Sequence, residues 1–173
     1  MKVYLDMDGV LVDLWGGYEE LTGISLIEAD KKYGSLSHEV WSPTLEVDDF
    51  WFNLSKDSGA DVLLEYMQEN YPVEKTFILS APIRLNRDSC IEQKRRWATH
   101  HTHLLEEHIH IVPRSQKVDF AWCDENDIPN ILVDDYIKNI KEWESQGGIG
   151  IHHTDVDTTL QKLHDLLRGN KNA

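Results

Sequence analysis

Short apolar runs alternate along the chain with longer segments in which apolar residues recur every three or four positions. VYL at 3–5, TFILS at 76–80, IHIV at 109–112, ILV at 131–133 and GIGI at 148–151 are rich in β-branched residues and bounded by polar or turn residues. That is the pattern of strands covered on both faces. Between them, 58–70 sets Val62, Leu63, Tyr66 and Met67 on one side behind Ser58 as an N-cap, and 86–101 carries a basic middle. Ile137, Ile140 and Trp143 recur through 136–144, and 157–167 is again amphipathic. These four segments are predicted helices.

Such alternation predicts an α/β fold, a Rossmann-like parallel sheet with helices on both faces. One stretch breaks the rhythm: about seventy residues separate the first two strands, where a crossover needs only a few tens. The excess, 14–57, is rich in aromatics, with Trp15, Tyr18, Tyr33, Trp41, Phe50, Trp51 and Phe52. It is expected to be a small helical cap inserted after the first strand, with 1–13 and 58–173 forming the core. A cap there lies over the carboxyl ends of the strands, where open α/β sheets bind ligands.

Chemistry-bearing residues follow four of the apolar runs: Asp6 and Asp8, Ser80, a basic segment ending at Lys117, and Asp134 with Asp135. Parallel strands bring these ends to one rim. So many carboxylates repel unless a cation lies among them, and an all-oxygen set suits a hard divalent ion, Mg2+ before Zn2+. Beside a bound phosphate, one carboxylate can attack phosphorus and another can carry the proton. Ser80 and Lys117 would then hold phosphoryl oxygens.

Composition narrows the partners. The 173 residues are 40% hydrophobic and 28% charged, and 17 Lys and Arg stand against 31 Asp and Glu, a net charge of −14. That field repels polyanions, so a nucleic acid polymer is a poor partner, whereas a small anion remains open where a cation reverses the field locally. No apolar run is long enough to span a membrane, and the first strand does not read as a leader, so a cytoplasmic location is expected. Cys90 and Cys123 form no C-x-x-C pattern and read as two reduced thiols.

The ordered set DMDGV at 6–10, Ser80 after a strand, Lys117, and DD at 134–135 after another strand resembles the four motifs of the haloacid dehalogenase-like hydrolases. A closer resemblance is to the 5′(3′)-deoxyribonucleotidases: SAPIR at 80–84 is similar to their T-S-P-I-K stretch, DFWFNLSKDSGADVLLEYM at 49–67 to their aromatic segment and following helix, and Trp97 recurs in the helix after the second motif. RSQK at 114–117 resembles their R-D-K segment with one residue more and Ser in place of an acid.

This resemblance implies a Mg2+-dependent phosphatase of deoxyribonucleoside monophosphates, 5′-phosphates with some tolerance for 3′-phosphates; a homodimer is compatible with it. It makes Asp6 the nucleophile and Asp8 the acid/base, with metal ligands from Asp6, the Asp8 backbone carbonyl, Asp134 and Asp135. Phosphate contacts fall to Ser80, Ala81 and Lys117. Substrate contacts fall to Phe50, Trp51 and Phe52 of the cap, with Arg84 and Arg114.

Two other readings stay open. The cap sets specificity, so another small phosphometabolite such as a sugar phosphate is an alternative substrate. A non-enzymatic phosphoacceptor domain also gathers strand-end acids with Ser and Lys, but it lacks a second acid two residues after the phosphorylated one. Lys94, Arg95 and Arg96 read as a solvated helix face. The histidines of HHTH at 100–103, with His108 and His110, show no H-E-x-x-H pattern and are not read as a metal site.

Overall fold

The computed structural model describes residues 1–34, 37–123 and 128–170, with the side chains of Cys123 and of 167–170 left aside. Strands β1 (Val3–Leu5), β2 (Thr76–Ser80), β3 (Ile109–Ile111), β6 (Ile131–Asp134) and β7 (Ile149–His152) form one parallel sheet in the order β3-β2-β1-β6-β7. The first strand in sequence is thus the middle one in space. Its three residues, all buried, read as the continuous apolar run expected there.

Alternation along each strand divides the core. Val3, Leu5, Ile78, Ile131 and Val133 share one apolar cluster with residues of helices α5 (Ala60–Asn70), α6 (Arg87–His101) and α8 (Val156–Asn170). Tyr4, Phe77, Leu79 and Leu132 point the other way, onto Ile140 and Trp143 of α7 (Ile137–Ser145). Helices therefore cover both faces, as the pattern predicts. The capping of α5 differs: Asp57, not Ser58, bonds its start, through the Gly59 and Ala60 amides.

Residues 14–54 are mainly helical: α1 (Leu14–Thr22), α2 (Leu26–Tyr33), α3 (His38–Trp41), a 3-10 turn at Ser42–Leu45 and α4 (Phe50–Asn53). The chain leaves and rejoins the core at one point. Asp13 N–H donates to the Ser55 carbonyl, Asp57 N–H donates to that of Leu11, and Val12 bridges Lys56 in antiparallel fashion. The sequence pattern does not anticipate a small antiparallel hairpin of β4 (Trp122–Cys123) and β5 (Ile128–Pro129), whose two-residue strands are too short for any periodicity. Among the described residues no helix is long and apolar enough to cross a membrane.

Candidate active site at the carboxyl edge of the sheet

Register alone brings the acids together. Leu5 pairs with Val133 in β6 and with Ile78 in β2, so the residue after Leu5 lies beside Asp134 and near Ser80. The Asp6 amide continues that ladder by donating to the Val133 carbonyl at 2.9 Å. Oxygens of Asp6, Asp134 and Asp135 all lie within 4.8 Å of one another.

Lys117, brought in by the 3-10 turn Arg114–Phe120, lies between two of them, its Nζ 3.0 Å from Asp6 Oδ2 and 2.8 Å from Asp134 Oδ2. Burial opposes its charge, but Asp6 and Asp134 outweigh burial and hold its pKa up at about 12. One ammonium against three carboxylates leaves two negative charges in excess. Burial, then the Asp6 charge, raises Asp134 to about 6. Burial, then Asp6, Asp134 and Asp8, raises Asp135 to about 7.

The two neighbouring acids differ in what already holds them. Asp134 is fully buried and accepts hydrogen bonds from Lys117, the Tyr136 amide at 2.9 Å and both-sided contact with Asn139 Nδ2 at 3.0 and 2.9 Å. The Asp135 side chain has no protein hydrogen bond among the described residues; only its backbone carbonyl is tied, to His152 Nε2 at 2.9 Å. Asp135 thus offers the more open oxygens, whereas Asp6 is buried with Oδ1 accepting from the Met7 amide at 2.8 Å and Oδ2 facing Lys117. A hard divalent cation fits this set in charge and donor type.

Asp8 stands apart from those three oxygens. Its Oδ2 lies 2.5 Å from Lys94 Nζ, while its Oδ1 is buried without a partner. Burial, reinforced by Asp6, raises its pKa against the pull of Lys94. The turn that places it is tight: the Val10, Leu11 and Val12 amides all donate to the Met7 carbonyl, and Gly9 takes φ +72°. A Cβ on Gly9 would meet Asp135 Oδ2 at 2.3 Å, so glycine is required both by its backbone angle and by the approach of the second acid.

Lys94 is the candidate site residue that sequence reasoning misses. It is not on a solvated face: it is 1% exposed, and its Nζ also donates to Ser80 Oγ at 3.2 Å and the Ala81 carbonyl at 2.9 Å, 5.0 Å from the centre of the Trp51 ring. A signal exists in the sequence. Cys90, Lys94, Trp97 and Ala98 share one stripe of α6, and all are buried. Arg95 and Arg96 do lie on the outer side.

The other expected contacts fall in different surroundings. The Arg114 guanidinium pairs with Glu142 at 2.6 and 3.3 Å and donates to Asn139 Oδ1 at 3.0 Å, bracing the residue that holds Asp134. Of the three cap aromatics, Phe50 and Trp51 are buried, and only Trp51 reaches Lys94. Phe52 packs under the Arg96 guanidinium, 4.3 Å from its ring centre, and edge-on to His100. Arg96 lies roughly 200° around α6 from Lys94, so Phe52 faces away from the acids. Arg84 is exposed, beyond the end of β2.

No protein-family model matches the chain, and no curated protein does. Its backbone is similar to that of a hydrolase from Streptococcus pneumoniae TIGR4, at 12% identity and a TM-score of 0.51 over 94% of this chain and 97% of that one. It is equally similar to a HAD-family hydrolase from Deinococcus radiodurans R1 whose structure holds phosphate and sodium, at 15% identity and a TM-score of 0.51 over 94% and 87%. The five-stranded parallel sheet flanked by helices is thus an α/β fold that the chain shares with these two hydrolases.

Proposed function

We propose that this protein is a divalent-cation-dependent phosphatase of deoxyribonucleoside monophosphates, acting through a phosphorylated Asp6. The observation that carries the reading is the convergence of Asp6, Asp134 and Asp135 within 4.8 Å, with Asp8 two residues on. Asp6, Asp135 and the Asp8 carbonyl, with Asp134 behind them, would hold Mg2+, which would supply charge neutralisation and polarisation of the phosphoryl group. The bound phosphate of the Deinococcus hydrolase is consistent with that assignment.

The chain's own residues do the remaining work. The Asp6 carboxylate attacks phosphorus, and the bond from phosphorus to the ester oxygen breaks. Asp8 gives its proton to that departing oxygen. In the second half Asp8 takes a proton from water as the water oxygen attacks phosphorus, the acyl phosphate P–O bond breaks, and the Asp6 carboxylate returns. A raised pKa and an unpartnered Oδ1 suit Asp8 to carry that proton. Lys117, Lys94 and Ser80 bring positive charge and a hydroxyl to the same edge, for the phosphoryl oxygens.

The nucleotide part of the proposal comes from the resemblance of SAPIR and the 49–67 segment. One observation favours the alternative, a small phosphometabolite such as a sugar phosphate: Phe50, Trp51 and Phe52 do not together form a wall for a base. A panel of phosphomonoesters assayed with Mg2+ decides between them. Deoxynucleotides are expected to lead, and Asp6→Asn is expected to abolish turnover while the fold persists. Sugar phosphates outrunning every nucleotide would remove the substrate and leave the phosphatase; turnover of none would remove both.

A further inference from the structure

We propose that Trp15 is the aromatic surface on which the base of the substrate stacks, where the family resemblance puts the substrate contacts on the FWF segment. This rests on the nucleotide reading above and deepens it. With Phe50 and Trp51 buried and Phe52 turned to the outer side of α6, recognition of a planar leaving group must draw on another aromatic.

Trp15 is in the right place. It lies in the first turn of α1, seven positions past Asp8, and it is 45% exposed, among the more exposed large apolar side chains described. Its indole Nε1 and the Asp135 carboxylate lie within 3.0 Å of one point, the position a Cβ on Gly9 would take. The ring thus stands at the lip of the acid cluster, directly over the turn that carries Asp8. Tyr136, the residue after Asp135, is half exposed as well.

The physics favours this use. An indole presents a large apolar face on a side chain with only two rotatable bonds, so a stacked base is held at small entropic cost. Stacking on an aromatic ring is sequence-tolerant, because every base has a π face. The phosphate is then fixed by the cluster and the base by Trp15, with deoxyribose spanning between them.

The test measures binding, with Mg2+ present, to the Asp6→Asn protein by calorimetry. The probes are a deoxyribonucleoside 5′-monophosphate and deoxyribose 5-phosphate, which differ only in the base. Adding Trp15→Ala is expected to weaken the nucleotide about tenfold, down to the level of deoxyribose 5-phosphate, while the latter is unchanged. Trp15→Phe is expected to keep most of the nucleotide affinity. Equal weakening of both probes, or no weakening of the nucleotide, overturns the assignment. The underlying reading is judged separately by hydrolysis with the unaltered protein: a base-dependent loss on Trp15→Ala without nucleotide turnover sinks the phosphatase and leaves the stacking site.

Discussion

The acid cluster and the cap obey different rules of assembly. At the cluster, each side chain is the residue that ends or follows a strand, and parallel register carries residues more than a hundred positions apart in sequence to within 4.8 Å. In the cap, position depends on which face of a short helix meets which neighbour. Two adjacent residues, Trp51 and Phe52, therefore end on opposite sides of α6, one against Lys94 and the other against Arg96. Backbone pairing transmits chemistry faithfully from sequence to space; helix packing hides it.

The strongest way to break that contrast is at Lys94, where core chemistry sits on a helix rather than on a strand end. Lys94→Met removes the partner of Asp8 and leaves the carboxyl buried beside Trp51. Turnover of a phosphomonoester is expected to fall at least about 100-fold, and urea unfolding should show a loss of about 3 kcal/mol. The double variant with Asp8→Asn should recover part of the stability and none of the turnover.

Next in size is the cation. Asp134 and Asp135 have native pKa values of about 6 and about 7, above the usual 3.8. Carboxyls raised in this way stabilise the fold fully below pH 3.8 and lose that contribution as pH rises through 6 and 7. The metal-free protein should therefore show a Tm that declines across this interval. Mg2+ at 100 times its Kd should add about 2.7 kcal/mol at neutral pH and flatten the decline. A Tm indifferent to Mg2+ would separate the acids from any metal role.

Smaller effects sharpen the comparison. Gly9→Ala forces a Cβ into Asp135 at φ +72° and is expected to cost about 1–3 kcal/mol, with weakened Mg2+ binding read by calorimetry. Phe52→Ala, in the cap and away from the acids, should cost under about 1 kcal/mol of stability from its contact with Arg96 and leave kcat and KM unchanged. A raised KM there would return Phe52 to the substrate wall.

How much was legible follows from the same contrast. All five sheet strands, both layers of helices and the acids at Asp6, Asp8, Asp134 and Asp135 could be read from apolar runs ending in charge, because strand period and register need no tertiary information. Lys94 escaped because three adjacent basic residues look alike until the stripe Cys90, Lys94, Trp97 is drawn, and only burial shows that a lysine belongs to it. The pairing of Arg114 was not legible because its partner Glu142 lies 28 residues on, on another helix. The hairpin of β4 and β5 has no internal pattern to read.

The pairing of Asp13 with Ser55 and of Leu11 with Asp57 gives the inserted helices a narrow neck. The excursion begins and ends at one spot, so its length and content can change without moving Asp6 or Asp8 relative to the sheet. Under the proposed function, selectivity and bond-breaking would thereby lie on separately mutable pieces of one chain, and a new leaving group would be accommodated by rebuilding the helices beyond the neck while the edge that carries the acids stays as it is.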